Sequence, residues 1–208
     1  MAEKAKARPR NPKGQGDRLR DEILGAARRI LEASGTEDAV TLRATAREAG
    51  VSAPAIYAHF ADREEMVEAV IAAAFDEFAR AVLGEMAGIE DPVRRLRAAC
   101  RAYVAYGQRH PATYRVIFTR HRPSALPTVA ASADAVFQIL VDLLDECAAT
   151  GRRNGGDARA DAATLWLGMH GLAALPPSHP RFDWPEQEML LNRLIERLGG
   201  VADESSST

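Results

Sequence analysis

The chain has 208 residues, 47% of them hydrophobic and 27% charged, and its formal net charge is −2. This composition is typical of folded globular proteins and excludes a chain that is disordered throughout, a collagen-like repeat or a disulfide-rich scaffold. Alanine and leucine account for 40 and 18 positions, which favours helix over sheet.

The small net charge conceals an uneven distribution. Residues 1–63 carry 12 basic and 9 acidic side chains, whereas residues 64–208 carry 15 and 20. The only three lysines, Lys4, Lys6 and Lys13, lie in the first thirteen positions. A basic segment on an acidic chain is typical of binding to an anionic partner, although a solubilising tail has the same composition.

Neither end of the chain predicts a folded or targeting segment. Residues 1–16 combine prolines, glycines and basic side chains without apolar periodicity, which predicts a disordered basic arm, and residues 200–208 predict a disordered tail. No apolar run follows the first charges, and the stretch 162–177 is too short to span a bilayer. We therefore expect a cytoplasmic protein without a membrane partner, with Cys100 and Cys147 as small buried residues.

The first predicted helix carries apolar residues every three or four positions over residues 19–31. Asp17 is its expected N-cap, and Ser34 and Gly35 are expected to end it.

Two short helices follow in the prediction. Thr41 is expected to cap a helix over 42–48, and Ser52 a second one that runs to about Ala58. Gly50 lies between them, where a left-handed backbone conformation is cheap only for glycine.

The remaining predicted elements are also helices. Asp62 and Glu65 form a capping-box pattern that opens a long helix over about 63–84. Further helices are predicted at about 91–108, 111–119, 124–150, 158–175 and 185–198. Because no strand-type alternation and no internal repeat is found, the sequence predicts an all-α fold.

Two short helices joined at Gly50 are typical of a helix-turn-helix, whose second helix lies in the major groove of DNA. Individual residues of this segment support the interpretation, namely Thr41, Ala46, Ala49, Gly50, Val51, Ser52, Tyr57, His59, Phe60, Arg63 and Glu64. In this pattern the segment 41–66 closely resembles the DNA-binding segment of the TetR family of transcriptional regulators.

The segment departs from that family's pattern in two places. The family most often has lysine where this chain has Arg63, but arginine keeps the charge and can bind phosphate oxygens. Ala53, Pro54 and Ala55 are small apolar residues on the recognition helix, where they can contact thymine methyl groups. The resemblance therefore implies DNA binding and leaves the operator sequence open.

The resemblance and the side-chain chemistry together give a set of predicted DNA contacts. The set consists of Thr41, Arg43, Ser52, Ala53, Pro54, Ala55, Tyr57, His59 and Arg63. The apolar residues of the same segment are expected to be core residues and not contacts, namely Ala46, Ala49, Val51, Ile56 and Phe60. The hydroxyls at helix N-termini are expected to meet phosphate, with plain capping as the competing interpretation. For Arg43 the competing interpretation is a solvated side chain, and for Tyr57 and His59 it is packing against the first helix. The segment from Lys4 to Arg20 is expected to add backbone or minor-groove contacts.

The family resemblance also implies a C-terminal helical body that binds a ligand and forms a dimer. The segment 166–171 resembles the W-x-x-x-H-G signature of one subclass, and His110, Pro111, Tyr114 and Phe118 fit it too. The predicted ligand contacts are Tyr103, Tyr106, Phe118, Phe137, Trp166, Met169 and His170. The competing interpretation is that these are ordinary core residues.

The predicted domain organisation has five parts. These are an arm (1–16), a helix-turn-helix domain (17–62), a connecting helix (63–84), a ligand-binding and dimerisation domain (85–199) and a tail (200–208). A homodimer is expected through the helices near 128–150 and 158–175, because one head reads only half of a palindromic site. No cofactor and no metal is expected.

These features predict a dimeric, sequence-specific DNA-binding regulator, most simply a repressor that a small-molecule inducer releases from a palindromic operator. An activator with the same fold would fit the same features, as would a helical adaptor that no longer binds DNA. A helical enzyme that uses a pocket around His170 is a further possibility. No enzyme is expected, because the five histidines lack metal-binding spacing and no nucleophile or phosphate-loop motif is present.

Overall fold

The computed structural model describes residues 16–119 and 127–201, with side chains for residues 17–118 and 134–201. Predictions for residues 1–15, 124–126 and 202–208 lie outside the described residues. The described helices are α1 (Gly16–Ser34), α2 (Leu42–Ala49), α3 (Ala53–Tyr57), α4 (Arg63–Met86), α5 (Pro92–Arg109), α6 (Pro111–Thr119), α7 (Pro127–Ala149), α8 (Ala158–Ser178) and α9 (Gln187–Leu198).

The all-α fold predicted from the sequence is confirmed. Across the described ranges, β pairing is limited to one isolated bridge between Arg153 and Val201. A short 3-10 helix, Glu37–Ala39, was not predicted and lies between α1 and α2. None of the described helices is long and apolar enough to cross a bilayer.

The chain divides into two compact units. The first ends at Ala73 and the second begins at Ala74, so α4 contributes residues to both. The buried apolar side chains of the first unit include Ile23, Ala26, Ala27, Leu31, Ile56, Phe60, Met66 and Val67. Those of the second include Phe78, Leu96, Leu143, Leu144, Leu165, Leu191 and Ile195.

Helix α1 differs from its prediction at the start and agrees at the end. It begins at Gly16, so Asp17 lies inside the first turn instead of capping it. A carboxylate in that turn still interacts favourably with the helix dipole. The helix ends at Ser34, and Gly35 follows with a positive φ of 72°.

The connection between α2 and α3 has the predicted local chemistry. The Thr41 hydroxyl oxygen accepts a hydrogen bond from the Ala44 N–H at 3.1 Å. Gly50 has φ 67° and ψ 30°, the left-handed conformation that a side chain would disfavour. The Val51 N–H then donates to the Ala46 carbonyl at 2.9 Å, which closes the turn.

The start of α4 resembles the predicted capping box, with one difference. Asp62 Oδ1 accepts from the Glu65 N–H at 2.8 Å, as expected. Glu65 Oε2 reaches back one residue further than expected and accepts from the Ala61 N–H at 2.7 Å. Two backbone donors at this helix start are therefore satisfied by side chains.

In the second unit, α5 packs against α7, α8 and α9. Charged pairs tie α5 to its neighbours, with Arg95 and Glu146 3.0 Å apart and Arg101 and Glu188 2.6 Å apart. Helices α8 and α9 approach closely at Gly168, where a Cβ atom would lie 2.7 Å from the Leu194 side chain.

The predicted end of α8 at Leu175 is wrong. The helix continues through Pro176 and Pro177 to Ser178. Proline removes a backbone donor and disfavours helical geometry in the residue before it. Here the last turn is closed by other groups, because the His179 N–H donates to the Leu175 carbonyl at 2.9 Å and the Ser178 hydroxyl to the Ala174 carbonyl at 2.8 Å.

Helix α9 begins two residues later than predicted, at Gln187. Glu186 is its N-cap, and its carboxylate accepts from the N–H groups of Glu188 and Met189 at 2.9 and 2.6 Å. Glutamate is not among the residues usually expected at this position, which explains why the sequence pattern did not predict it.

Candidate functional site

All nine predicted DNA contacts are at least partly exposed on the first unit. Tyr57 is the most informative of them, because 60% of this large aromatic residue is exposed at the end of α3. By contrast, Ala46, Ile56 and Phe60 of the same motif are buried, as the sequence predicted. Ala49 and Val51, also predicted as core, are partly exposed.

The two hydroxyl groups at the helix N-termini differ in their local role. The Thr41 oxygen is used as an acceptor by the start of α2. Ser52 precedes α3 but its side chain makes no capping hydrogen bond. Pro54 lies in the first turn of α3 and has no N–H to offer such a bond. Because capping uses an oxygen lone pair and not the hydroxyl proton, both Thr41 and Ser52 can donate to a phosphate oxygen.

Arginines line one side of α2. Arg43 and Arg47 are both exposed and lie one turn apart on the same helix face. Arg47 was not among the predicted contacts, although its spacing of four from Arg43 was visible in the sequence. Two guanidinium groups on this face give α2 an exposed positive charge.

Arg63 makes contacts that the sequence did not predict. Its Nε donates to the Val40 carbonyl at 2.9 Å, and its Nη2 donates to the Glu37 carbonyl. The Asp38 carboxylate lies 3.8 Å from the same nitrogen. The side chain thus ties the start of α4 to the segment that precedes Thr41, and its contact with phosphate stays a prediction.

One end of the predicted basic arm is engaged within the first unit. The Arg20 guanidinium lies 5.0 Å from the centre of the buried Phe60 ring. Arg18 pairs with Glu22 at 3.2 Å. The arm residues that precede Gly16 lie outside the described residues.

The second unit contains an apolar cavity of about 350 Å³. Its described lining residues are Phe75, Val82, Ala99, Cys100, Tyr103, Ile117, Phe118, Asp134, Val136, Phe137, Ile139, Leu140, Leu143, Ala163, Trp166 and Met169. Five of the seven predicted ligand contacts are among them, namely Tyr103, Phe118, Phe137, Trp166 and Met169.

The other two predicted ligand contacts, Tyr106 and His170, are not among the cavity-lining residues. Tyr106 is buried, and its hydroxyl donates to the Ala74 carbonyl at 3.2 Å. His170 lies beside the cavity residues, 5.2 Å from Phe118 and 6.2 Å from Trp166 between ring centres.

A chain of hydrogen bonds joins the cavity to His170. Trp166 Nε1 donates to the Tyr103 hydroxyl at 2.9 Å, and that hydroxyl lies 2.9 Å from the Tyr114 hydroxyl. The Tyr114 hydroxyl lies 2.7 Å from His170 Nδ1. Tyr114 was predicted only as part of the subclass pattern, and only the fold reveals that it connects Tyr103 to His170.

Burial keeps these groups neutral. It raises the pKa of Tyr103 to about 12 and raises that of Tyr114 still further. It also raises the pKa of the Cys100 thiol to about 12 and lowers that of His170 below 6.5. The cavity wall therefore offers hydrogen bonds and hydrocarbon contacts at neutral pH, without a thiolate or an imidazolium.

No metal centre is found in the described ranges, where no three His, Cys, Asp or Glu side chains are placed to hold an ion. Cys100 and Cys147 are both buried and free of disulfide bonds.

The chain is similar to several known regulators. Among curated relatives, the HTH-type transcriptional activator FasR of Mycolicibacterium smegmatis is 31% identical to this chain over 145 residues. The match covers 64% of this chain and 66% of that protein. The nucleoid occlusion factor SlmA of Aliivibrio fischeri is 28% identical over 111 residues, 53% of this chain and 54% of that protein. The chain thus spans about half the length of the SlmA relatives it matches.

Two solved structures show the same fold over nearly the whole chain. A Rhodococcus sp. RHA1 protein of unknown function is 26% identical, with a TM-score of 0.77 over 93% of this chain and 100% of that one. The structure of AibR in complex with isovaleryl coenzyme A and operator DNA is 18% identical, with a TM-score of 0.65 over 88% and 100%. At that identity the likeness to AibR concerns the fold alone.

Two family models match the chain in consecutive regions. Residues 23–70 match the bacterial regulatory proteins of the tetR family, and residues 96–198 match the tetracyclin repressor-like C-terminal domain. The first range contains the helix-turn-helix and the second contains the helices that supply most of the cavity wall. The chain therefore belongs to the TetR family of DNA-binding transcriptional regulators.

Proposed function

We propose that this regulator is a homodimeric repressor that leaves its operator when a small molecule binds in the cavity of the second unit. The observation that carries the proposal is the apolar cavity of about 350 Å³, a size in the range of small-molecule sites, in the unit that lacks the helix-turn-helix. The AibR structure, which has the same fold, was determined with both a small molecule and operator DNA.

The proposed mechanism is a population shift. The ligand binds more tightly to the state in which the two helix-turn-helix domains are wrongly spaced for successive half-sites, and it shifts the population toward that state. DNA affinity then falls by a factor set by the difference between the ligand's affinities for the two states. By reciprocity, operator DNA lowers the affinity for the ligand by the same factor.

DNA contact is assigned to the exposed motif residues of the first unit. Thr41, Arg43, Ser52, Tyr57 and His59 supply hydroxyl, guanidinium, phenol and imidazole groups to phosphate or base edges. Ala53, Pro54 and Ala55 supply small apolar contacts. Arg63 acts here chiefly by fixing the segment before Thr41, because its two closest partners are backbone carbonyls.

Exposed apolar side chains support a dimer interface on α8 and the adjoining chain. Leu167 is 68% exposed and Leu175 is 45% exposed, and every exposed side chain between residues 160 and 178 is uncharged. Phe182 and Met189, in the connection to α9 and in α9 itself, are also exposed. Large exposed apolar surfaces of this kind mark interaction sites.

The exposed face of α7 argues against its predicted place in the dimer interface. Its described exposed side chains include Asp134, Gln138, Asp142 and Asp145. Two copies of such a face would bring like charges together, which is unfavourable. We therefore assign the interface to α8 and the connection that follows it rather than to α7 and α8, since α9 itself exposes Arg193 and Arg197.

The test begins with the recovery of genomic fragments bound by the full chain, including the DNA upstream of its own coding region. A promoter that overlaps the recovered site is then transcribed in vitro with and without the protein. A repressor lowers transcript yield, and an operator with two half-sites separated by one helical turn or more is expected. A rise in yield contradicts repression, and failure to enrich any sequence contradicts specific binding.

Activation is the second candidate function, and the similarity to FasR favours it because FasR is a transcriptional activator. The same transcription assay separates the two outcomes. An activator would share the cavity and the helix-turn-helix, so the sign of the effect on transcription is the deciding measurement.

A further inference from the structure

The cavity wall contains almost no charge. Among its described lining residues, no lysine or arginine is present, and Asp134 is the single carboxylate. Asp134 is exposed to solvent, and the nearby Arg159, which is not a lining residue, lies 5.1 Å from the centre of the Phe137 ring. An anionic ligand would lose its hydration on entering the cavity and would meet no buried basic partner among these residues. Its binding would therefore be costly.

The Tyr103 hydroxyl is the polar group of the wall that is built into a network. The indole N–H of Trp166 can only donate, so the Tyr103 oxygen accepts at 2.9 Å. The Tyr103 proton can then be directed toward the Tyr114 hydroxyl at 2.9 Å, toward His170 Nδ1 at a longer 3.4 Å, or toward the cavity.

The choice between those directions is coupled to His170. When Nδ1 of His170 carries no proton, it accepts from Tyr114 at 2.7 Å, and Tyr114 accepts from Tyr103. When Nδ1 carries the proton instead of Nε2, His170 donates to Tyr114 and Tyr114 donates to Tyr103. The Tyr103 hydroxyl then no longer donates to Tyr114, and it can donate to a group in the cavity. Both arrangements are neutral and keep every bond of the chain, so they differ only in the tautomer of His170.

We propose that the cavity binds an uncharged, largely hydrocarbon ligand with one carbonyl oxygen, which accepts a hydrogen bond from the Tyr103 hydroxyl while His170 changes tautomer. This inference rests on the proposed ligand-binding function and names the chemical class of the ligand. In the tautomer change one proton leaves Nε2 and one is taken up at Nδ1 by exchange with water, so the charge is unchanged. The ligand selects the arrangement in which Tyr103 can donate to it.

The first experiment compares four eight-carbon or isosteric probes by calorimetric titration of the full chain without DNA. The probes are 2-octanone, 2-methyl-1-octene (in which a CH₂ group replaces the carbonyl oxygen), octanoate and octylammonium. The Tyr103 hydrogen bond is expected to give 2-octanone a preference over the alkene of about 2- to 10-fold, the range of a neutral hydrogen bond. This preference is the ketone-to-alkene affinity ratio divided by that of Tyr103→Phe, because the ketone also loses more hydration on binding. It is also expected to bind at least about 10-fold more tightly than octanoate, whose charge has no buried basic partner.

Two tyrosine variants make the assignment specific. Tyr103→Phe is expected to abolish the preference for 2-octanone over the alkene. Tyr106→Phe is the matched control on the same helix, because the Tyr106 hydroxyl is bonded to Ala74 and is outside both the cavity wall and the hydrogen-bond chain. That variant is expected to keep the preference unchanged.

A second measurement follows His170 in the unaltered protein, and a variant is needed only to assign its signals. Nitrogen-15 NMR of labelled histidine distinguishes the two neutral tautomers of His170, with His170→Gln identifying its signals. Addition of 2-octanone is expected to move the proton from Nε2 to Nδ1, and addition of the alkene is expected to leave it in place.

Several results would overturn the proposal. These are tighter binding of octanoate or octylammonium, a ketone-to-alkene affinity ratio that Tyr103→Phe leaves unchanged, an unchanged His170 tautomer at saturating ketone, or no binding of any probe. None of these results bears on operator binding, which is measured separately, so a wrong ligand class and a failure of the regulator function remain distinguishable.

Discussion

Two arginines of the first unit show how the same side chain serves different purposes in one small motif. Arg63 is two-thirds buried and donates to the carbonyls of Val40 and Glu37. Arg43 is exposed on the outer side of α2. We expect the first to stabilise the motif and the second to bind DNA.

The matched variants are Arg63→Ala and Arg43→Ala. Loss of the Arg63 guanidinium leaves the Val40 carbonyl without its side-chain donor and the Glu37 carbonyl with the Val40 N–H alone, and we expect local stability to fall by about 1–3 kcal/mol. Hydrogen exchange of the amides in residues 37–49 measures this change. Arg43→Ala is expected to leave exchange unaltered but to weaken DNA binding and reduce its salt dependence. Equal exchange rates in both variants would contradict the division of roles.

His170 gives the stability of the second unit a pH dependence. Burial lowers its pKa in the folded protein below the value of 6.5 expected for the unfolded chain. The unfolded chain therefore takes up the proton first as the pH falls, and the contribution of neutral His170 is complete above about pH 6.5 and is lost below it.

The variant His170→Gln removes this titration while keeping an oxygen that can accept from Tyr114. Between pH 7.5 and 5.5, we expect the thermal midpoint of the unaltered protein to fall more than that of His170→Gln. A His170→Gln curve parallel to that of the unaltered protein would show that His170 does not titrate in this range.

At the scale of elements, helix positions followed from apolar periodicity and caps, but the partners of individual side chains did not. Thr41 and Gly50 act locally, so their roles were predictable from a few neighbouring residues. Arg63 and Tyr114 act through residues 23–26 and 56 positions away, respectively, and such pairings depend on how helices pack. The continuation of α8 through two prolines goes against local preference, and the bonds that close its last turn come from the Ser178 side chain and the His179 backbone.

Because the outer surfaces of α7 and α8 differ in charge, we expect a charge substitution on each to have a different effect on dimerisation. Leu167→Arg places a charge on the uncharged exposed stripe of α8, and we expect it to convert a dimer to a monomer or to weaken dimerisation by at least about 10-fold. Burial of one such charge without a partner costs several kcal/mol. Sedimentation velocity over a range of concentrations measures the effect.

Asp142→Arg is the matched control on the exposed face of α7. It changes charge at a comparably exposed helical position and is expected to leave the sedimentation coefficient unchanged. Dissociation by Asp142→Arg but not by Leu167→Arg would place the interface on α7 instead.

For the whole molecule, the net charge of −2 is the sum of two regions with different tasks. Residues 1–63 have an excess of basic side chains and contain the helix-turn-helix, whereas the acidic remainder contains the apolar cavity. A protein with this division needs no positive net charge to bind DNA, because phosphates interact chiefly with charges within about 8 Å at physiological salt.

This division predicts where the salt dependence of DNA binding originates. Residues 2–13 contain five basic side chains, Lys4, Lys6, Arg8, Arg10 and Lys13, and one acidic side chain. If they contact phosphates, each contact releases counterions, and deletion of residues 2–13 makes the plot of log affinity against log salt less steep by about 0.9 per lost contact. Fluorescence anisotropy of a labelled operator at 50–300 mM salt measures this slope. Deletion of residues 203–208, which contain no basic side chain, is the control and should leave the slope unchanged. An unchanged slope after deletion of the arm would mean that the arm serves solubility, and that the folded first unit alone supplies the phosphate contacts.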